Sequence, residues 1–132
     1  MSYRVNDGED NMIYKTRYDN IQPYITKDGS LIRELMHPDL HGNEKQSLAE
    51  ATIPVNGMTH VHKHGQSEEL YHITQGQGVL FVGDEHCNVA AGDTVCIPPH
   101  MPHWIKNIGE IPLKILCCSC PAYSHDDTEL LA

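Results

Sequence analysis

Apolar residues along this chain come in short runs, each closed by glycine, proline, asparagine or aspartate. Segments 21–25 and 31–36 flank a Lys27-Asp28-Gly29 turn, which together predict a hairpin. Residues 37–46 read as a polar loop. A strand over 47–53 follows, ended by the turn residues Pro54-Val55-Asn56-Gly57. The chain then reads as strand, loop and strand up to a bend at Gly76 and Gly78, and continues as strand over 79–82. Gly83-Asp84 turns it again, and strands are expected over 86–89, 94–97, 103–106 and 112–120. Residues 1 to about 20 are polar with weak periodicity, and 121–132 form at most a terminal turn. No segment carries helical spacing, an internal repeat or a low-complexity tract. About ten short strands with frequent turn signals predict an all-β sandwich or barrel.

Composition narrows this picture. A chain of 132 residues suits one core, so a single domain over 1–132 is expected. Within it, 1–47 supplies N-terminal strands and loops, 48–120 the barrel core, and 121–132 a tail. Hydrophobic residues make up 39%, enough for a compact barrel but not a generous core. Burial against a partner would help such a core, so a homodimer is expected. The formal charge of −9 argues against a nucleic-acid or anionic-membrane surface, which needs clustered Lys and Arg. No run of about eighteen apolar residues is present for a membrane span. The first ten residues lack the apolar stretch of a signal peptide, so a cytoplasmic location is expected.

Five cysteines, an odd number without a framework spacing, preclude a full disulfide set. Cys117 and Cys120 have the spacing of a redox or zinc pair, but their setting reads as a final strand, where they face opposite ways. Small apolar filler is the simpler reading of these residues. One of Cys117, Cys118 and Cys120 can still line the barrel interior.

The chemistry concentrates in two histidine-rich stretches. The first is Gly57-Met-Thr-His60-Val-His62-Lys-His64-Gly-Gln-Ser-Glu68-Glu69, running on to Gly76. The second runs from Gly92 through Pro98-Pro-His100-Met-Pro-His103 to Asn107. Side chains alternate along a strand, so His62 and His64 share a face with Lys63 opposite. Glu69 follows a short loop that lets the chain bend back, and His103 comes from a separate strand. These four residues are put forward as three imidazoles and one carboxylate converging on a metal. Imidazole and carboxylate together suit one divalent transition ion: Mn, Fe, Co, Ni, Cu or Zn.

Those two stretches resemble the cupin superfamily. Its first motif is roughly Gly, five residues, His-x-His, three or four residues, Glu, six residues, Gly. Here His62-x-His64, four residues, Glu69, six residues and Gly76 match its core. Its second motif is Gly, five residues, Pro-x-Gly, two residues, His, three residues, Asn, matched by Gly92, Pro98, His103 and Asn107. Two departures stand out: Gly57 lies one residue closer to the histidine pair, and His100 replaces the turn glycine. Neither removes a ligand. The resemblance covers about half the chain and implies a double-stranded β-helix, a jelly-roll-like barrel with the metal near one open end.

The family spacing also ranks the rivals. His60 shares face parity with His62, but pairing those two would put Glu69 outside the spacing, so His60 is read as a pocket group instead. Glu68 fits a shorter spacer yet then stands seven residues from Gly76, so Glu69 is preferred. His100 is read as a turn residue, since histidine tolerates positive φ better than most. His37, His41, His72, His86 and His125 are read as surface or local hydrogen-bonding residues.

Cupins with three histidines and one glutamate include dioxygenases, oxalate oxidases and decarboxylases, and relatives acting on sugars or uronates. The resemblance thus implies a metal-dependent enzyme for a small polar organic molecule, with oxidative chemistry favoured slightly and Glu69, Tyr71 and His60 as candidate catalytic groups. The alternatives are a non-catalytic metal- or metabolite-binding protein, and an isomerase or epimerase that works without the metal. The full ligand set argues against the last.

Overall fold

A computed structural model of the protein describes residues 3–5 and 13–131. In chain order its strands are β1 (Tyr3–Val5), β2 (Ile13–Lys15), β3 (Tyr24–Ile25), β4 (Leu31–Met36), β5 (Ser47–Ile53), β6 (His62–His64) and β7 (Glu68–Gln75). They continue with β8 (Gln77–Val82), β9 (Glu85–Ala90), β10 (Thr94–Ile97), β11 (His103–Asn107), β12 (Leu113–Cys120) and β13 (Thr128–Leu130). Every strand pairing is antiparallel.

Two sheets make the barrel. One has the order β10-β7-β12-β5-β4-β3 and the other β13-β6-β11-β8-β9, while among the described residues β1 and β2 form a separate two-stranded sheet. Alternation along the strands turns one side chain in two toward the space between the sheets. Ile53, Ile73, Leu80, Ile97, Ile105, Leu113 and Ile115 meet there and are fully buried. At about 25 cal/mol per Å² of apolar surface, that layer is the main force holding the sheets face to face. The expected all-β, jelly-roll-like architecture is therefore the observed one.

Glycines and one histidine turn the chain where the pattern implied. Gly29 sits at φ +90 in the β3–β4 hairpin, and Gly76, at φ +88, is the one residue between β7 and β8. A Cβ at Gly76 would lie 3.1 Å from both the Leu113 Cα and the Pro112 carbonyl oxygen, so only glycine fits without displacing backbone. His100 has φ +66, the left-handed conformation of the turn it was read as occupying.

The sequence reading departs from the structure in four places. The strand expected over 21–25 is cut to Tyr24–Ile25, because Pro23 has no N–H to donate to a ladder. The loop over 37–46 contains a one-turn helix, α1 (Pro38–His41), with proline in its first turn. The His37 imidazole accepts from the Asp39 N–H at its start, and Gly42 closes it in the left-handed region. Consequently His37 and His41 are buried: their hydrogen bonding is local, as read, but they do not lie at the surface. Finally, the tail is more than a turn, since β13 pairs with β6 and so becomes the neighbour of the histidine strand.

Candidate metal centre

The pleat of β6 turns His62 and His64 inward and Lys63 outward. Lys63 reaches Glu129 at the surface, 3.8 Å away. In β7 the same alternation exposes Glu68 and buries Glu69. His103 opens β11 directly opposite His62 in register. All four inward residues are at most 5% exposed. One ligand atom from each lies within 4.8 Å of the others, forming a buried group suited to hold a metal ion. The register that pairs His62 with His64 and takes Glu69 as the carboxylate is thus the one the fold brings together.

Hydrogen bonds fix which ring nitrogen faces the centre. His62 Nδ1 lies 2.8 Å from the His60 carbonyl oxygen, and His103 Nδ1 lies 2.9 Å from that of Met101. A carbonyl only accepts, so both Nδ1 atoms carry the proton. His64 Nδ1 lies 3.0 Å from Thr128 Oγ1, whose own hydroxyl donates to the Ser124 carbonyl at 2.8 Å; here too Nδ1 is the donor. Each neutral imidazole therefore presents the Nε2 lone pair. Glu69 is oriented in the same way, with Oε2 accepting from the Ser119 hydroxyl at 3.2 Å and Oε1 turned to the imidazoles.

The consequence is a crowd of acceptors. Glu69 Oε1 stands 2.9 Å from His64 Nε2 and 3.3 Å from His103 Nε2, and none of the three buried atoms has a hydrogen-bond partner. Either a cation or extra protons must stand between them. The donor set fits a divalent transition ion, since three imidazoles and one carboxylate match such ions in chemistry and charge. Burial would raise the Glu69 carboxyl, but where protons rather than a cation stand there, the facing N–H groups of His103 and His64 outweigh burial and hold it well below the usual range. Burial, and then neighbouring His103, push His62 below the ordinary imidazole range. Both shifts keep the ligand forms in place.

A cavity partly open to solvent extends from this group into the barrel. Tyr71, Ile105, Ile53 and Ile115 contribute apolar wall, and Asp28, Glu34, Thr26 and Tyr123 contribute polar wall. Tyr71 keeps its phenol protonated, because burial and then the Glu69 charge raise it well above its ordinary range. Cys117 also lines the cavity, and burial followed by the Glu69 charge raises its thiol. It is a protonated wall residue. Cys120 is exposed.

His60 is a correction. It precedes β6, so strand parity does not extend to it, and its ring is exposed and off the cavity wall. Its carbonyl, which orients His62, is its contribution. Several contributors were missed in the sequence. Asp28, read only as a turn residue, is held by the N–H and hydroxyl of Ser30 at its Oδ1 (2.9 and 2.6 Å). Its Oδ2 lies 3.6 Å from His62 Nε2. Ser119 shares strand parity with Cys117, a signal that could have found it. Thr128 had none, since it depends on the tail returning to β6.

Comparison with known proteins agrees with this geometry. Residues 49–119 match the cupin domain family. An uncharacterised protein of Methanocaldococcus jannaschii is 59% identical over 119 residues, covering 90% of this chain and 95% of that protein. An oxalate-binding protein of Thermotoga maritima is 29% identical over 86 residues, covering 65% and 67%. Among solved structures, a Lactobacillus farciminis oxalate decarboxylase in a formate complex superposes with a TM-score of 0.75 at 27% identity. That match covers 86% of this chain and 34% of the decarboxylase, so this chain spans about a third of that protein's length.

Proposed function

The chain belongs to the cupin family, and from that membership we propose that it is a metal-dependent enzyme acting on a small polar organic molecule. His62, His64, Glu69 and His103 hold one divalent transition ion in this reading. The observation that carries it is the set of acceptor atoms, buried, mutually close and without donors, at one part of a solvent-connected cavity. Mn, Fe, Co, Ni, Cu and Zn all suit the donor set.

When bound, such an ion supplies Lewis acidity, and, for a redox-active metal, electron exchange with substrate or dioxygen. The chain's own residues do the rest. Ser119 pins one oxygen of Glu69, and Thr128 and the carbonyls of His60 and Met101 hold the imidazoles in their ligand tautomers. Ile53, Ile105 and Ile115 keep part of the wall dry, which strengthens every charge interaction inside. Asp28 gives the site a second carboxylate beside His62 that a substrate can meet. Oxidative chemistry is the favoured class.

A second reading has one specific support. The Thermotoga relative is described as an oxalate-binding protein, which makes a non-catalytic metal- and metabolite-binding role the alternative. Loading the protein with redox-active metals and following oxygen uptake and product formation over a panel of small acids, sugars and alcohols separates the two. Turnover with any member supports the enzyme; saturable binding without turnover across the panel supports the binding protein. We also propose a homodimer, with residues before 50 at the interface, where Ile25 on edge strand β3 and Leu40 are both more than half exposed.

A further inference from the structure

Glu34 is the buried group in the cavity that the metal centre leaves unexplained. It lies on β4 beside inward Ile32 and is 7% exposed. Its Oε2 accepts from the Tyr24 hydroxyl at 2.9 Å. Its Oε1 is buried and has no partner, yet it lines the same cavity as His62, His64 and Glu69. A buried carboxylate oxygen without a donor is costly, and in a cavity wall it is a place for a ligand's donor.

The charges around it point the same way. Asp28 and Glu69 share this wall, and among the described residues no Lys or Arg lines the cavity. Lys27 spends its ammonium on the carbonyls of His125 and Thr128, 2.7 and 2.8 Å away. Arg33 donates to the Tyr18 hydroxyl at 2.8 Å and stacks over that ring. Away from the metal, a small dianion would therefore meet the carboxylates of Asp28 and Glu34 and no cationic side chain among the described residues. In the sheet, β4 stands three strands from β7, a lateral separation of about 14 Å if the sheet were flat and less where it curves.

We propose that Glu34 is a ligand-recognition residue that accepts an N–H or O–H from a small molecule bound in the cavity, one that carries no negative charge at that end. The inference rests on the metal-centre reading and deepens it. It sets the substrate class as a donor-ended molecule longer than oxalate, with an acidic or otherwise metal-binding group at the other end.

Three probes of similar length and a common carboxylate test this: 4-aminobutyrate, 4-hydroxybutyrate and succinate, titrated calorimetrically into manganese-loaded protein. The wild-type protein should bind succinate about tenfold or more weakly than the better of the other two. In Glu34→Gln the succinate affinity should rise and the 4-aminobutyrate affinity fall, closing the gap, while 4-hydroxybutyrate changes least because an amide oxygen still accepts. Whichever of the amine and the alcohol binds tighter identifies the donor. Equal affinities for all three, no binding by any of them, or a variant that shifts all three alike would overturn the proposal. The wild-type ranking needs no variant to fold. Metal content measured on both proteins after loading with each of Mn, Fe, Co, Ni, Cu and Zn separates the two levels: a wild-type protein that takes up none of them refutes the metal centre, whereas a loaded protein without end-group selectivity refutes only the role of Glu34.

Discussion

Thr128 illustrates how a single hydroxyl can orient a candidate metal ligand. It donates to Ser124 and accepts from His64, so it passes a fixed direction from backbone to ligand. Thr128→Val keeps the volume but removes the acceptor. Metal affinity should fall about tenfold or more with an unchanged circular dichroism spectrum, and equal affinity would show that β6 alone aligns the ring. Asn107 works in the opposite direction, toward the scaffold. Its amide donates to the carbonyls of Ile53, Pro54 and Ile111, and its oxygen accepts from Gly109 N–H. With both its amide nitrogen and its oxygen engaged by backbone, this residue of the second motif braces turns rather than touching the cavity. Asn107→Ala should lower unfolding free energy by about 2 to 4 kcal/mol in a denaturant titration, while the metal stoichiometry of the folded protein stays the same. The four metal-group residues were legible because their chemistry is tied to spacing along two strands. Asp28, Glu34 and Thr128 were not, because their approach depends on which strands become neighbours.

At the level of elements, alternation read the long strands well. The segments 31–36, 47–53 and 94–97 form as expected, since each carries its own inward and outward pattern. Short or edge pieces failed for lack of such a signal. Pro23 trims β3, and β13 owes its existence to pairing with β6 rather than to any apolar run. The helix α1 is one turn long, too short for a period to show, though its Pro-Asp start and Gly42 end are ordinary capping signals. Gly76 offers the sharpest test at this scale. Gly76→Ala combines positive φ with a clash against backbone, so it should destabilise the protein by about 2 kcal/mol or more. Thermal unfolding at a wild-type midpoint would mean that the β7–β8 bend relaxes freely.

For the whole molecule, the two sheets form a frame that holds acceptors together against their mutual repulsion. A cation bound only by the folded state adds its binding free energy to stability. Metal-loaded protein should therefore melt several degrees above chelator-treated protein, with the gap growing as free metal is raised; identical melting curves would contradict a folded-state site. Assembly is separable from this. Sedimentation at micromolar concentration should give about twice the 14.8 kDa chain mass, and a mass that stays at one chain on concentration would exclude the dimer. The most direct test of the central claim is elemental analysis of protein purified without added metal and again after loading, for the wild type and the His62→Ala, His103→Ala and His72→Ala variants. His72 lies on β7 but faces outward, bonded to Thr94. The account predicts about one transition ion per chain in the loaded wild type and in His72→Ala, and severe loss in the other two. Equal occupancy across all four proteins, or none even after loading, would contradict it.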